Sequence, residues 1–327
     1  MKTIIYSGAE LPPILRVIVK VYSLSDVNII ANNIHDYNIS GLKIMHESDN
    51  VLLLLSKGIE GQDSFTCQEI LEKLGAKVNI PTSDAKIALS IFREGRLKRS
   101  QNLVNIYREL SKKLQIKPNI IPFTDNKISA TVKTGEGEIS LLEYFLAKKD
   151  INVREVELEG IDKAKPFDQI VNTIKNSESV LIIPNDPVSI IPIMKNKDIQ
   201  ETLKKCEGQI TVISPPITPK STRLLQTLDI EPSPLGVAKM CEECIDTFII
   251  NTSQQDFKPK IEPLKMEVLT TELHETEAEY ENVIPKLILD LFQLEIEKPS
   301  VITEIKKGVK KIKEVIGASE KSKKRLT

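Results

Sequence analysis

Residues 4–31, IIYSGAELPPILRVIVKVYSLSDVNIIA, contain one complete strand-helix-strand pattern. Ile4–Tyr6 is a short apolar run that predicts a buried strand, and Ser7–Gly8 follows it as a turn. A helix is predicted to start at Pro12–Pro13, because a proline at the first helical position lacks only an N–H that would have no helical partner. Val27–Ala31 predicts a second buried strand. The pattern therefore favours a parallel sheet with helical crossovers.

The same alternation returns in the second half of the chain. Three further apolar runs predict strands beside helical segments, namely Val180–Ile183, Ile210–Ser214 and Phe248–Ile250. Ala130–Val132, followed by a glycine-containing turn at 135–137, predicts a small hairpin. We therefore predict an α/β fold, a Rossmann-like, doubly wound and mostly parallel sheet with a helical insertion at about residues 60–120. This domain is expected to span residues 1–296.

The terminal segment, residues 297–327, is predicted to form a basic amphipathic helix and tail. Apolar residues recur between its lysines at helical spacing, namely Ile302, Ile305, Val309, Ile312 and Ile316. Such a helix can lie on an anionic membrane or dock on a partner. We favour a solvated terminal helix folded back on the domain, because chain termini are commonly of that kind.

Composition excludes several classes of function. The 327 residues include 45 Lys and Arg against 46 Asp and Glu, and 4% of them are aromatic. Neither a basic field nor a stacking platform is therefore present for nucleic acid. No apolar run reaches the roughly 18–20 residues of a membrane-spanning helix, and the N-terminus lacks a signal-peptide pattern. Because four cysteines do not make a disulfide framework in so long a chain, we predict a cytoplasmic protein.

Cys241 and Cys244 have the spacing of half a zinc site or of a redox pair. A structural zinc site needs four ligands, and Cys67 and Cys206 each stand alone in the sequence. The helical pattern of Gly236–Cys244 places both thiols on one apolar face. We therefore predict two buried, inert thiols within the later part of a helix.

The segment Arg93–Arg99 is a short basic run. An arginine there could bind a phosphate through its planar fork of donors. A solvated loop is the commoner outcome for such a run, and it is the prediction adopted here.

The densest polar stretch follows the second predicted strand and holds two of the three histidines of the chain. Its members are Asn32, Asn33, His35, Asp36, His46, Glu47, Asp49, Asn50, Gln62 and Asp63. Ligands of open α/β sheets bind at the carboxyl ends of strands, and carboxylates there can hold Mg²⁺ together with phosphate oxygens. The residues alone equally allow a surface loop in which Ser48 or Asn50 caps a helix over Val51–Leu55.

Val180–Ile193 resembles the hallmark of the 2-phospho-L-lactate transferase family, in which Gly-Pro-Ser-Asn-Pro is followed, after two residues, by Ser-Ile-Gly-Pro-Ile. Other segments resemble the family's motifs in the same order, up to about Leu294. They are Asn32–Asp36, Glu47–Asn50, Asp63–Phe65, Phe123–Asp125, Glu143–Phe145, Ser214–Pro215 and Glu231–Ala238. Each motif is weak by itself, but their order and spacing together are specific.

The resemblance implies a role in coenzyme F-420 biosynthesis. Members of that family use Mg²⁺ and transfer a phospholactyl-type group from a guanosine diphosphate-linked donor to the ribityl hydroxyl of a deazaflavin precursor, releasing GMP. By resemblance, Asp36 and Asp63 are catalytic and Asp36 and Asp49 bind the metal. The substrate-binding residues implied are Asp49, Asn32, Asn50, Asn185 and Ser189. The resemblance also implies a homodimer.

The chain departs from the family pattern mainly on the donor side. The Gly-Gly-Thr-Gly loop is here Gly8–Leu11, in which Glu10 is expected to repel a phosphate, and a second loop is shortened to Pro216–Lys220. His35 replaces the first acid of an Asp/Glu-Asp pair, and Asn185–Asp186 replaces Ser-Asn. Two hypotheses stay open: a transferase, or a non-catalytic paralogue that binds a deazaflavin or nucleotide or partners an active transferase.

Overall fold

The computed structural model describes residues 1–22, 24–56 and 64–274, together with residues 276, 279 and 290–292. The strands in these ranges are β1 (Lys2–Ser7), β2 (Val27–Ala31), β3 (Tyr37–Ile39), β4 (Leu42–Ile44), β5 (Asn119–Pro122), β6 (Ser129–Thr134), β7 (Glu138–Ser140), β8 (Val153–Glu159), β9 (Ser179–Pro184), β10 (Gln209–Ile213), β11 (Thr247–Asn251) and β12 (Glu267–Thr271). The α-helices are α1 (Pro13–Val21), α2 (His46–Leu55), α3 (Thr66–Lys73), α4 (Asp84–Leu97), α5 (Leu103–Lys113), α6 (Leu141–Leu146), α7 (Asp168–Lys175), α8 (Ile191–Lys195), α9 (Lys197–Lys204), α10 (Pro219–Thr227), α11 (Pro234–Cys241) and α12 (Lys258–Ile261).

Seven strands form one parallel sheet in the order β12-β11-β10-β9-β1-β2-β5. Every residue of β9 is buried, as expected of a strand with helices on both faces of its sheet. This confirms the predicted Rossmann-like α/β class. The chain builds the sheet in one direction from β1 and in the other from β9, so the topological switch point lies between these two strands.

The opening strand-helix-strand unit is confirmed in detail. β1 pairs with β2 in parallel, and Ile4 lies opposite Ile29. α1 begins with Pro13 at its first turn and buries Ile14 and Ile18 against the sheet. Because side chains alternate along a strand, Ile5 packs into the apolar cluster on one face of the sheet, whereas Ile4 packs into the cluster on the other. No helix within the described ranges has the length and apolar character needed to cross a bilayer.

Two insertions separate β2 from β9. Helices α3, α4 and α5 fall inside residues 60–120, where the sequence predicts helices. A three-stranded antiparallel sheet in the order β7-β6-β8 follows, and it includes the predicted hairpin. The predicted boundary at residue 296 and the basic segment 297–327 lie outside the described residues.

The helix predicted to carry both cysteines ends earlier than expected. α11 stops at Cys241, and Glu243 adopts a left-handed conformation with φ 67°. Cys244 therefore follows the helix, although its thiol and that of Cys241 are both free and buried, as predicted. Burial raises the pKa of the Cys241 thiol, which keeps it protonated and unreactive.

Candidate active site

A cavity of about 1080 Å³ opens beside the switch point, at the carboxyl ends of the central strands. Its walls come from six stretches of chain, namely residues 9–16, 145–150 at and after the end of α6, 183–186, 213–223 and 251–254, together with Leu273, His274 and Thr276. Open α/β sheets bind their ligands at this place. We call it the switch-point cavity. Its volume is at the upper end of the ~300–1,000 Å³ typical of small-molecule sites, so it has room for a large ligand or for two.

The switch-point cavity carries an excess of positive charge. Its cationic side chains are Arg16, Lys148, Lys149, Lys220 and Arg223, and its acidic ones are Glu10, Asp150 and Asp186. Two of the cations are neutralised, since Arg223 pairs with Asp150 and Lys149 pairs with Glu136. The net excess of cations raises the local concentration of ligands with the opposite sign, so the cavity favours an anion.

Lys220 is fixed in the cavity wall by the local fold. Thr218 caps α10 by accepting from the N–H of Ser221, so Lys220 lies in the first turn of that helix. Its Nζ donates to the carbonyl oxygens of Phe145 at 2.8 Å and Ala147 at 2.5 Å. Among the described residues no carboxylate lies within ion-pair distance of Nζ, so this cation keeps an uncompensated charge.

The loop after β1 approaches the loop after β9 very closely. A Cβ on Gly8 would lie 2.3 Å from the Cβ of Asn185, and φ is +153° at Gly8, so a glycine is needed there. The Tyr6 hydroxyl donates to the carbonyl oxygens of Gly8 and Glu10, and the His46 ring contacts that of Ala9 at 2.7 Å. This loop is therefore held in place from within the protein.

Beneath the cavity, the polar side chains of residues 32–50, with Ser7, Asp186 and Ser189, form what we call the polar cluster. Asn32 is fully buried, and its Nδ2 donates to Ser7 Oγ at 3.0 Å and to the Ser189 carbonyl at 2.8 Å. The backbone N–H of Asn185 donates to the Ser7 carbonyl at 2.8 Å. These bonds tie together the ends of β1, β2 and β9, so they fix the shape of the loop that carries Asn185.

Asp36 caps α2. Its Oδ1 accepts from the His46 N–H at 3.1 Å, and its Oδ2 accepts from Asn33 and pairs with Lys43 at 3.1 Å. Ser48 and Asn50 lie inside α2, so the alternative in which one of them caps a helix over Val51–Leu55 is wrong. Burial raises the pKa of Asp36 to about 6, and the Lys43 charge opposes the rise.

Asp49 lies in the protein interior rather than at the cavity. Its carboxylate accepts two bonds from Arg93, at 2.8 and 3.3 Å, and one from the Tyr107 hydroxyl at 2.6 Å. Arg93 is only 1% exposed and also donates to the Lys43 carbonyl at 2.8 Å. Arg93 therefore belongs to α4 and to a buried ion pair, and the prediction of a solvated basic loop was wrong.

Asn50, His46 and Glu47 complete the polar cluster. Asn50 Nδ2 lies 3.1 Å from His46 Nε2. Burial lowers the pKa of His46 well below its usual range, so its ring is neutral at neutral pH. Burial likewise raises the pKa of Glu47 well above its usual range. Its Oε2 accepts from the His35 N–H, whereas its Oε1 has no partner among the described residues.

The predicted site residues thus fall into three groups. Asn185 lines the cavity, and Asn32 and Ser189 lie directly beneath it and shape its wall. Asp36, Asp49 and Asn50 lie in the polar cluster. Asp63 lies outside the described residues.

The polar cluster does not fit a Mg²⁺ site formed by Asp36 and Asp49. Asp49 is fully buried and already occupied by Arg93 and Tyr107, and Asp36 is paired with Lys43. No group of three His, Cys, Asp or Glu residues in the described ranges is arranged to hold a metal ion. Mg²⁺ takes oxygen ligands in near-octahedral geometry, which these engaged carboxylates do not offer.

The cavity cations were not identified as site residues from the sequence. Arg16 comes from α1, Lys148 from the segment after α6 and Arg223 from α10, so no local motif contains them together. For Arg16 and Arg223 the available signal is topological, because α1 and α10 follow β1 and β10, which end at the carboxyl edge of the sheet. Lys220 belongs to the shortened loop that the sequence places on the donor side.

Comparison with known proteins gives a consistent result. The family model of the 2-phospho-L-lactate transferase CofD matches residues 3–286. A 2-phospho-L-lactate transferase of Methanosarcina mazei is 27% identical over 263 residues, covering 76% of this chain and 86% of that protein. One of Methanocaldococcus jannaschii is 27% identical over 277 residues, covering 79% and 88%.

The crystal structure of a UPF0052 family protein from Bacillus halodurans is also similar. It has a TM-score of 0.54 at 16% identity and covers 86% of this chain and 98% of that one. At this identity the likeness concerns the fold alone. The resemblance noted from the motifs is thus confirmed by a match that covers most of the chain.

Proposed function

This chain belongs to the 2-phospho-L-lactate transferase CofD family and is an enzyme of the transferase class, and from that premise we propose its reaction. The chain transfers a phospholactyl-type group from a guanosine diphosphate-linked donor to the ribityl hydroxyl of a deazaflavin precursor, in coenzyme F-420 biosynthesis. The hydroxyl oxygen attacks the phosphorus that carries the lactyl group, and a new P–O bond forms. The bond from that phosphorus to the bridging oxygen breaks, GMP leaves with this oxygen, and the hydroxyl proton passes to a base.

The observation that carries the proposal is the switch-point cavity with its excess of cations. A diphosphate carries several negative charges, and Lys220 holds an uncompensated positive charge in the wall. Lys148 and Arg16 add positive charge on the other sides of the same space. Cations fixed before the reaction stabilise the charge that develops on the leaving nucleotide.

The acceptor side is proposed to lie towards the polar cluster. Asp36 is our candidate for the base, because burial raises its pKa to about 6 and so towards the range of an effective proton acceptor at neutral pH. Asp63 keeps the same role as a prediction. Asp49 is proposed to affect the acceptor indirectly, because its ion pair with Arg93 holds α2 in place. Asn50 is proposed to act indirectly as well, through its contact with the His46 ring.

The family resemblance implies that transfer depends on Mg²⁺, and we propose this dependence for the present chain. Since Asp36 and Asp49 do not form a metal site, no step is assigned to the metal here. Activity that disappears with a chelator and returns with Mg²⁺ supports the proposal, and activity unchanged by the chelator contradicts it. A homodimer and a cytoplasmic location also remain predictions.

The decisive experiment is product analysis with purified protein, the deazaflavin precursor and the guanosine diphosphate-linked donor. We expect GMP and phospholactyl-deazaflavin in equal amounts, separated by chromatography and identified by mass. Lys220→Ala should reduce the rate, and Lys77→Ala, which changes an exposed lysine outside the cavity, should not. Binding of a deazaflavin or a nucleotide without any product would instead support the non-catalytic paralogue.

A further inference from the structure

His35 and Asp186, two departures from the family pattern on different loops, meet at the floor of the switch-point cavity. His35 Nε2 lies 3.9 Å from Asp186 Oδ2. Ser189 links them, because its Oγ lies 2.7 Å from His35 Nε2 and donates to Asp186 Oδ2. Asp186 lines the cavity, whereas His35 and Ser189 are buried beneath it. A chain of three polar groups therefore leads from the cavity wall into the interior.

The number of hydrogens on each group decides which atom donates in the hydrogen bonds that link His35, Ser189 and Asp186. A serine hydroxyl has a single hydrogen, and Ser189 gives it to the Asp186 carboxylate. Ser189 Oγ can then only accept from His35, so His35 Nε2 carries a hydrogen. Asp186 Oδ1 accepts from the N–H groups of Val188 at 3.0 Å and Ser189 at 2.8 Å. The carboxylate thus receives three donors and holds the turn over residues 186–189.

That turn forms part of the cavity wall. Asn185 and Asp186 face the cavity, and the Ser189 carbonyl is held from below by Asn32. A shift of Ser189 would therefore also move Asn185 and Asp186, which a ligand in the cavity contacts.

We propose that His35 and Asp186 are a matched pair of positioning residues that set the shape of the 185–189 loop against the donor. The motif resemblance implies an acid at position 35 and an amide at position 186 in the family; here Asp186 supplies the carboxylate and His35 the donor. The two exchanges compensate each other through Ser189. This inference rests on the proposed function, because its kinetic test measures transfer from the proposed donor.

The exchange can be reversed without breaking the chain of hydrogen bonds. In a protein carrying both His35→Glu and Asp186→Asn, Ser189 can donate to the new carboxylate and accept from the new amide. The amide oxygen can still accept from the N–H groups of Val188 and Ser189. In His35→Glu alone, two buried carboxylates compete for one hydroxyl hydrogen and repel each other. In Asp186→Asn alone, the amide and the imidazole both donate towards Ser189 Oγ unless the imidazole changes tautomer.

The test is a double-mutant cycle measured on the full chain. We expect each single change to raise the KM for the donor, with a fall in kcat/KM of about 10- to 100-fold for His35→Glu because the loop is misplaced. In the double variant, kcat/KM for the donor should recover to within about threefold of the value for the original protein. The KM for the deazaflavin should change less than the KM for the donor. A pair that acted on folding alone would lower the active fraction, and so kcat, without changing the KM for the donor.

A second cycle in a Ser189→Ala background is the matched control. The coupling should be much smaller there, because the linking hydroxyl is gone and only the direct repulsion between the two carboxylates remains. Additive losses in the first cycle, or coupling of the same size without Ser189, would overturn the inference.

Failure of the proposed function can be told apart from failure of this inference. If the original protein transfers no group, the same cycle is measured by calorimetric titration with guanosine diphosphate and by thermal unfolding. Recovery of guanosine diphosphate affinity in the double variant then supports the pair. Losses of affinity that add instead overturn it.

Discussion

The switch-point cavity and the polar cluster beneath it are built from similar residue types, but they differ in how their charges are paired. In the cavity, the hydrogen bonds of Lys220 within the described part of the chain go to carbonyl oxygens, so its charge is left for a ligand. In the polar cluster, the Asp49 carboxylate is paired with Arg93 in the protein interior. An unpaired charge in a cavity wall can bind a ligand of opposite charge, whereas a charge paired in the interior holds two parts of the fold together.

This difference changes the meaning of the acidic stretch in the sequence. The acids after β2, at positions 36, 47, 49 and 63, suggest a binding motif, but the interior position of Asp49 makes its carboxylate an anchor between α2 and α4. The cavity residues are scattered through the sequence. The following predictions test whether the two regions really divide their roles in this way.

The largest expected effect is on stability. Arg93→Ala leaves the Asp49 carboxylate buried without its cation, so we expect a loss of about 3–5 kcal/mol in the free energy of unfolding. Denaturant unfolding measures the loss. Arg96→Ala is the matched control on the same helix, because its pair with Glu109 is partly exposed. Its loss should be within about 1 kcal/mol. Equal losses for the two variants would show that the buried pair does not anchor the cluster.

The next effect concerns pH. Asp36 has a pKa of about 6 in the folded chain against 3.8 for the free group, so the folded protein binds more protons between these values. Its contribution to stability is therefore fully present below pH 3.8 and is lost as the pH rises through 6, by up to about 3 kcal/mol. Transfer should show the opposite trend, rising through pH 6 as the base ionises.

Asp36→Asn should remove both of these trends. Unfolding curves and rates of GMP release, recorded for both proteins from pH 4 to pH 8, give the two readouts. A rate profile for the variant that keeps its rise near pH 6 would exclude Asp36 as the base.

A smaller effect is expected in the cavity. Lys220→Ala should weaken binding of the guanosine diphosphate-linked donor by about tenfold, the loss of roughly one charge-assisted hydrogen bond. The free energy of unfolding should fall only by the contribution of the two lost hydrogen bonds to Phe145 and Ala147. Calorimetry of donor binding measures the effect, and Lys77→Ala controls for net charge. If both variants bind the donor equally, Lys220 is not a ligand.

The smallest effect concerns Glu10, the acid in the loop after β1. Its charge lines the cavity, so Glu10→Gln should strengthen donor binding, by at most about 1 kcal/mol because the site is open to water. Ala9→Gly added to it should increase affinity further only if the backbone can then approach the phosphates. Weaker binding in Glu10→Gln would mean that this acid contacts the ligand favourably.

Much of the fold could be predicted from the sequence because strand and helix periodicity are local signals. The runs at Ile4–Tyr6, Val27–Ala31 and Val180–Ile183 became neighbouring strands of one sheet. The hallmark at Val180–Ile193 led to the correct family because its order and spacing survive in the chain.

The site was predicted less completely because burial is not a local property. Arg93 follows a helical pattern that continues to Leu97, but nothing in the sequence near it shows that Asp49 is its partner. The side chain that caps α2 could not be identified for the same reason, since Asp36 reaches it from a neighbouring loop. The pairing of His35 with Asp186 likewise became visible only in three dimensions.

The most direct test of the division between cavity and cluster is a titration of the guanosine diphosphate-linked donor into three proteins. These are the original chain, Lys220→Ala and Asp49→Asn, with Asn50→Ala as a second cluster variant in case Asp49→Asn does not fold. We predict that Lys220→Ala alone loses donor affinity, and that the folded cluster variants bind the donor as the original chain does. Unchanged binding in Lys220→Ala together with a loss in the cluster variants would contradict the account.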